Sequence, residues 1–94
     1  MTEQTDAATV RRKRIRFRCW HRGTREMDLL LGGFADRHIA LLSVSDLDAL
    51  ETLLDCPDPE IYGWVTGHRG EPAGVSAGLL AHLKADIESA SRIR

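Results

Sequence analysis

The stretch Thr24-Arg25-Glu26-Met27-Asp28-Leu29-Leu30-Leu31-Gly32-Gly33-Phe34-Ala35-Asp36-Arg37-His38 decides the fold class. Met27, Leu30, Leu31 and Phe34 stand at i, i+3, i+4 and i+7, so a single face of an α-helix carries all four. The pair Gly32-Gly33 costs about 2 kcal/mol of helix propensity relative to two alanines. The sequence therefore predicts a kink or short break at that pair, with helix resuming through His38, Ile39 and Leu42.

Upstream, residues 10–22 read as a first helix with Ile15, Cys19 and Arg22 on one face and Phe17 and Trp20 beside it. Gly23 follows where a helix usually stops, because glycine accepts the left-handed conformation. Residues 1–9 are polar, small and unpatterned and read as a disordered tail, leaving residues 10–94 as one domain. Downstream, Ser45 followed by Asp48 predicts the capped start of a third helix carrying Leu47, Leu50 and Leu54, which Cys56-Pro57 ends. Asp58-Pro59-Glu60 reads as N-cap acid, N1 proline and first-turn acid of a short fourth helix. That helix carries Ile61, Tyr62, Trp64 and Val65, with Trp64 in the core, and stops at Gly67. Residues 67–74 hold three glycines and a proline and form a loop. A fifth helix over residues 76–92 turns Leu79, Leu80, Leu83 and Ile87 inward. No segment alternates with β period, so the fold class is all-α, a small five-helix bundle with short connections, expected to be a monomer.

With 94 residues, 43% hydrophobic and 29% charged, the chain has the composition of one globular domain. Apolar runs such as Leu29-Leu30-Leu31 and Ile39-Ala40-Leu41-Leu42 are only three or four residues long, which excludes a membrane-spanning helix. Glu3 and Asp6 and the lack of an apolar segment at the N-terminus argue against a signal or transit peptide. Cys19 and Cys56 lie in different segments and read as free thiols of a cytoplasmic protein.

The net charge of −1 hides a segregation. Arg11, Arg12, Lys13, Arg14, Arg16, Arg18, Arg22 and Arg25 occupy residues 11–25 with no acid among them, whereas residues 26–71 carry a balance of −8. A basic arm of this kind, with Phe17 and Trp20 as stacking groups, offers a nucleic-acid-binding alternative. Against it stands a pI of 6.4, where nucleic-acid-binding domains exceed about 9. Cys19, His21, Cys56, His38, His68 and His82 share no metal-ligand spacing, and no nucleophile stands with a companion base.

The sharpest local feature is Arg22-Gly23-Thr24-Arg25-Glu26-Met27-Asp28, at the seam between basic arm and acidic body. One reading is structural: Gly23 turns the chain, and Glu26 reaches back to unpaired first-turn amides. The other is a polar patch in which Arg22 and Glu26 contact a partner. On that second reading Arg22 is exposed, and its truncation leaves stability nearly unchanged.

Arg22-Gly23-x-x-Glu26 resembles the hallmark of the SdhE-type flavinylation factors, small five-helix assembly proteins for succinate dehydrogenase. Asp28, Phe34-Ala35-x-x-His38, Leu53-Leu54-x-Cys56-x-Asp58-Pro59, Ile61-Tyr62-x-Trp64 and Pro72-Ala73 match in order, over residues 12–88. Gly32-Gly33 and Ala77-Gly78 depart from the bulkier residues usual there, which implies a looser second helix and a weaker start to the last. The resemblance implies a non-enzymatic chaperone that binds the flavoprotein subunit of succinate dehydrogenase, and for some members of fumarate reductase. It further implies that the factor promotes covalent attachment of FAD to the client, with no cofactor of its own. Carried over, Arg22, Gly23 and Glu26 form the central contact, with Arg18, Arg25 and Asp28 beside it.

Overall fold

The first helix starts before its apolar stripe does. In the computed structural model, which describes residues 6–70 and 72–93 (the last three by backbone alone), α1 spans Ala7–Trp20. The Asp6 carboxylate accepts the Thr9 N–H at 2.8 Å and caps it. Residues 7–9, assigned to the tail by their lack of pattern, thus form the first turn of α1, while residues 1–5 lie outside the described residues. The cap signal was there, but Ala7, Ala8 and Thr9 offered no apolar period to extend it to.

After the corner at residues 21–24 come α2 (Arg25–His38), a 3-10 turn (Ile39–Leu41), α3 (Val44–Leu54), α4 (Asp58–Thr66) and α5 (Ala77–Ile93). Among the described residues there is no strand, and the five-helix reading stands. The core gathers Ile15 and Cys19 from α1, Leu31 and Phe34 from α2, Leu50 and Leu53 from α3, Ile61 from α4, and Leu80 and Leu83 from α5. Trp64 joins it at 6% exposure, as its place on the α4 stripe predicts.

Helix α2 runs unbroken through Gly32-Gly33, against the expected kink. The reason is a contact: a Cβ on Gly32 would run into the indole of Trp20 at the end of α1. Trp20 Nε1 and Arg16 both donate to Asp36 one turn on, so α1 and α2 lie antiparallel and closely apposed. Helix does not resume beyond His38 but tightens into the 3-10 turn, with Leu42 extended. Arg12 collects the carbonyls of Ile39 and Leu42 at 3.0 and 2.6 Å.

Helix α3 is capped by Ser43, not Ser45. Ser43 and Asp46 form a reciprocal capping box, and the same Ser-x-x-Asp pattern two residues later is internal to the helix. Helix α4 is capped by Pro57, and Asp58 is its first helical residue rather than its cap. Helix α4 stops at a left-handed Gly67, and Ser76 accepts the Leu79 N–H to open α5 despite the small Ala77-Gly78 pair.

The charge segregation is resolved inside the molecule. Arg11 pairs with Asp48 and Glu51, Arg16 with Asp36, Arg18 with Asp55 and Arg22 with Asp58. Four of the eight cations of the basic arm are thus tied to the acidic body, and Arg12 is spent on the backbone carbonyls of Ile39 and Leu42.

An acid stands on the inner face of α5, which the sequence pattern assigns to Leu79, Leu80, Leu83 and Ile87. The Asp86 side chain is 4% exposed and accepts from Arg37 Nε and Nη2 at 2.8 Å each, with His38 Nε2 also at 2.8 Å. The hydrogen bond from Arg37 holds the Asp86 carboxyl below the ordinary carboxylate range, against the opposing effect of burial. A carboxyl depressed in the folded state stabilises the fold above its unfolded value, near about 3.9, and loses that contribution as pH falls through its folded value. Asp86→Asn should therefore cost about 1.5 kcal/mol at neutral pH, one charge-assisted hydrogen bond. It should also flatten the acid limb of the melting temperature below about pH 4. Parallel acid limbs in thermal melts of the two proteins would show that Asp86 carries no such linkage.

Candidate functional site

The corner between α1 and α2 is built by Arg22, Gly23, Thr24 and Asp28 of the motif and leaves Arg25 and Glu26 outside. Gly23 has φ +110°, a left-handed value that strains any side chain, although a Cβ there would meet only open space. The Thr24 hydroxyl accepts the Met27 N–H at 3.3 Å and caps α2. Asp28 accepts the Arg22 backbone N–H at 2.6 Å, closing the corner on itself. The first-turn capping expected of Glu26 is thus performed by Thr24, while Asp28 ties the start of α2 back to Arg22.

Arg22 turns inward. Its side chain is 12% exposed and enters the crevice between the end of α3 and the start of α4. Nη1 donates to the Leu54 carbonyl at 2.9 Å and Nη2 to the Cys56 carbonyl at 3.2 Å. Nε and Nη2 both donate to Asp58 Oδ1, at 2.9 and 2.7 Å. The planar guanidinium fork suits this set, since carbonyls at a helix C-terminus lack intrahelical donors and Asp58 supplies the balancing charge. The exposed Arg22 expected from sequence is therefore corrected: the guanidinium is a clamp between the corner and the α3–α4 turn.

Of the remaining motif residues Met27 is buried in the core, and the others face solvent. Gly23, Arg25 and Glu26 are exposed, and Arg25 and Glu26 have no hydrogen-bond or ion-pair partner among the described residues. Arg18 stands apart, on the α1–α3 seam, bonded to Asp55 at 2.9 Å. A cleft of about 350 Å³ between α2 and α4 is lined by Thr24, Glu26, Met27, Asp58, Pro59 and Tyr62. On the other side of α2, a groove of about 630 Å³ runs from Trp20 and His21 past Gly23 and Arg25 to Leu29.

Two apolar residues of this surface were missed. Leu29 is 53% exposed and Tyr62 45%. Both were legible: Leu29 falls off the Met27, Leu30, Leu31, Phe34 stripe, and Tyr62 falls off the Ile61, Trp64, Val65 stripe. Phe17, placed beside the buried face of α1, is instead 61% exposed and stacks on His21 with ring centroids 3.8 Å apart. Cys19 lies in the core, where burial pushes its thiol up to about 12 and removes it as a nucleophile.

Fold and corner together define a small all-helical protein with a braced Arg-Gly-x-x-Glu turn whose glutamate points outward. A family model described as flavinator of succinate dehydrogenase matches residues 13–87, and the chain belongs to that family. It is 36% identical over 89 residues to the FAD assembly factor SdhE of Acetobacter pasteurianus, across 95% of this chain and 78% of that protein. It is 39% identical over 56 residues to the FAD assembly factor SdhE of Coxiella burnetii, across 60% of this chain and 67% of that one. The mitochondrial succinate dehydrogenase assembly factor 2 of Debaryomyces hansenii is 41% identical over 61 residues, and the match spans 43% of its length. No solved structure gives a significant match. The nucleic-acid alternative finds no support in these relatives, and four of the arm's cations are already paired with acids of the same chain.

Proposed function

We propose that this chain is an assembly factor that binds the flavoprotein subunit of succinate dehydrogenase and promotes its covalent attachment of FAD. The observation that carries the reading is the division of labour at the corner. Arg22, Asp28 and Asp58 brace it from within, Gly23 turns the chain with its backbone exposed, and Arg25 and Glu26 stand outward with no partner among the described residues. Exposed Leu29 and Tyr62 flank them and supply the apolar area that a specific protein contact needs. Gly23, Arg25 and Glu26 are the contact residues. Arg22 and Asp28 position them, and Arg18 serves the seam behind them.

The factor supplies no covalent chemistry in this reading. The flavin and the client react, and the factor favours the client conformation in which they meet. A fumarate reductase flavoprotein is a second client of the same chemistry. The factor acts as a monomer, and the free Cys19 and Cys56 suit the reducing cytoplasm in which we place it.

Co-expression of the chain with the succinate dehydrogenase flavoprotein at limiting FAD tests this directly. In-gel flavin fluorescence of the denatured client should rise several-fold over expression without the factor. Equal fluorescence in the two lanes overturns the reading for that client.

A further inference from the structure

Half of the basic arm has no acid to pair with, and part of that half converges. Arg11, Arg16, Arg18 and Arg22 are bonded to carboxylates, whereas Arg12, Lys13, Arg14 and Arg25 have no ion-pair partner among the described residues. Thr9, Arg12, Lys13 and Arg16 stand at i, i+3, i+4 and i+7 on α1 and so share one side of it. They line a groove of about 370 Å³ whose opposite wall is Ile39 and Ala40 of the 3-10 turn. This groove lies at the far end of the α1–α2 pair from the corner. Arg12 donates to the Ile39 and Leu42 carbonyls at 3.0 and 2.6 Å, which fixes its guanidinium against the wall. Carbonyls are neutral acceptors, so its positive charge stands. Lys13 is exposed and has no partner among the described residues. Two acids stand nearby, Asp36 on Arg16 and Asp6 on the Thr9 N–H, and neither lines the groove. Three cations against these two acids leave it positive.

We propose that this groove binds a phosphate group. The inference goes beyond the assembly-factor reading and uses none of its contact residues. A guanidinium offers a planar fork of donors and an ammonium a compact point charge, a combination suited to the several oxygens of a phosphate. Arg12 is held in place by its carbonyls, and Lys13 is free to close on the ligand from the solvent side. Arg16, with a side chain 55% exposed, bonds Asp36 through Nε, which leaves its terminal nitrogens for the ligand. Beyond Ala40 the chain turns apolar and open, with Leu41 88% and Val44 62% exposed. A phosphate carried on an apolar body gains a second contact there. Two sources present that chemistry, a free phosphate ester and the headgroup of an anionic phospholipid, and the groove treats their oxygens alike.

The test titrates the full chain with inorganic pyrophosphate at physiological salt, which screens diffuse surface attraction, and follows backbone amides by heteronuclear NMR. Shifts should saturate and concentrate at residues 9–16 and 39–42. Lys13→Glu should weaken binding at least about 10-fold. Ala40→Glu sets a carboxylate on the opposite wall and should act in the same direction. Both side chains are exposed, so both variants should keep the parent's melting temperature. Arg14→Glu is the control: it makes the same charge change as Lys13→Glu at an exposed residue that does not line the groove, and should stay within about 2-fold. Flotation with phosphatidylcholine vesicles, with and without phosphatidic acid, separates the sources. Flotation that needs phosphatidic acid and is lost in Lys13→Glu assigns a lipid headgroup, and saturable pyrophosphate binding without flotation assigns a free phosphate compound. Pyrophosphate shifts that never saturate, or a loss in Arg14→Glu equal to that in Lys13→Glu, overturn the site whatever the vesicles do. The assembly-factor reading is untouched by that failure, since it stands on the corner and on covalent flavin in the client.

Discussion

Arg22→Ala should lower stability by about 3 kcal/mol, the lower end of the cost of breaking a buried ion pair. The substitution removes donors to two backbone carbonyls and one carboxylate at once, and strands an Asp58 side chain that is only 19% exposed. At about 4–8 °C per kcal/mol for a domain of this size, the melting temperature should fall by at least about 10 °C. Arg22→Lys should recover part of the loss through its charge, but an ammonium cannot serve Leu54, Cys56 and Asp58 together in the geometry of the fork. Asp58→Asn should cost less than Arg22→Ala, because it keeps an acceptor oxygen and removes only the charge. Thermal circular dichroism of the three variants gives the order. A melting temperature within 2 °C of the parent for Arg22→Ala would falsify the clamp. Loss of client binding in this variant would follow from loss of the corner, so Arg22 is a poor probe of the interface that its motif marks.

That reversal shows where sequence reasoning runs out. Arg22 meets Asp58 and the Leu54 carbonyl across more than thirty positions of chain, and nothing local distinguishes an arginine bound for a crevice from one bound for solvent. Gly32 is a similar case. Propensity alone reads Gly32-Gly33 as a break, while the residue exists to admit Trp20 from another helix. The capping error on α3 has a different origin: Ser43-x-x-Asp46 and Ser45-x-x-Asp48 are equally good boxes, and the chain path out of the 3-10 turn selects the first. What periodicity does carry is the helix content and most of the core, because burial on one face is a local pattern. Even the exposed members of the surface are written there, as apolar residues out of phase with their stripe. Leu29 and Tyr62 are legible by that rule, whereas Asp86, an acid in phase with one, announces itself only through Arg37 and His38 from α2.

Glu26 is the residue for which the two readings of the motif now predict opposite results. It has no partner among the described residues, so Glu26→Arg loses at most the favourable interaction of a first-turn acid with the helix dipole, about 0.3–1 kcal/mol. The melting temperature should therefore drop by no more than a few degrees. Binding should change far more. A central charged contact flanked by apolar residues behaves as a hot spot, and reversing its sign adds repulsion to the lost attraction. We expect the affinity for the flavoprotein subunit to fall about 100-fold, equivalent to some 2.7 kcal/mol. Glu26→Gln should fall between parent and Glu26→Arg, since it keeps shape and hydrogen-bonding capacity while removing the charge. Covalent flavin in the co-expressed client should follow the same order. Should Glu26→Arg instead melt as low as Arg22→Ala while binding as tightly as the parent, the glutamate would belong to the corner's framework. The outward face would then need another anchor, with Tyr62 and Leu29 the remaining exposed candidates. The contrast between the two variants, one costing stability and the other affinity, is what separates the brace of the Arg-Gly-x-x-Glu turn from the surface it holds in place.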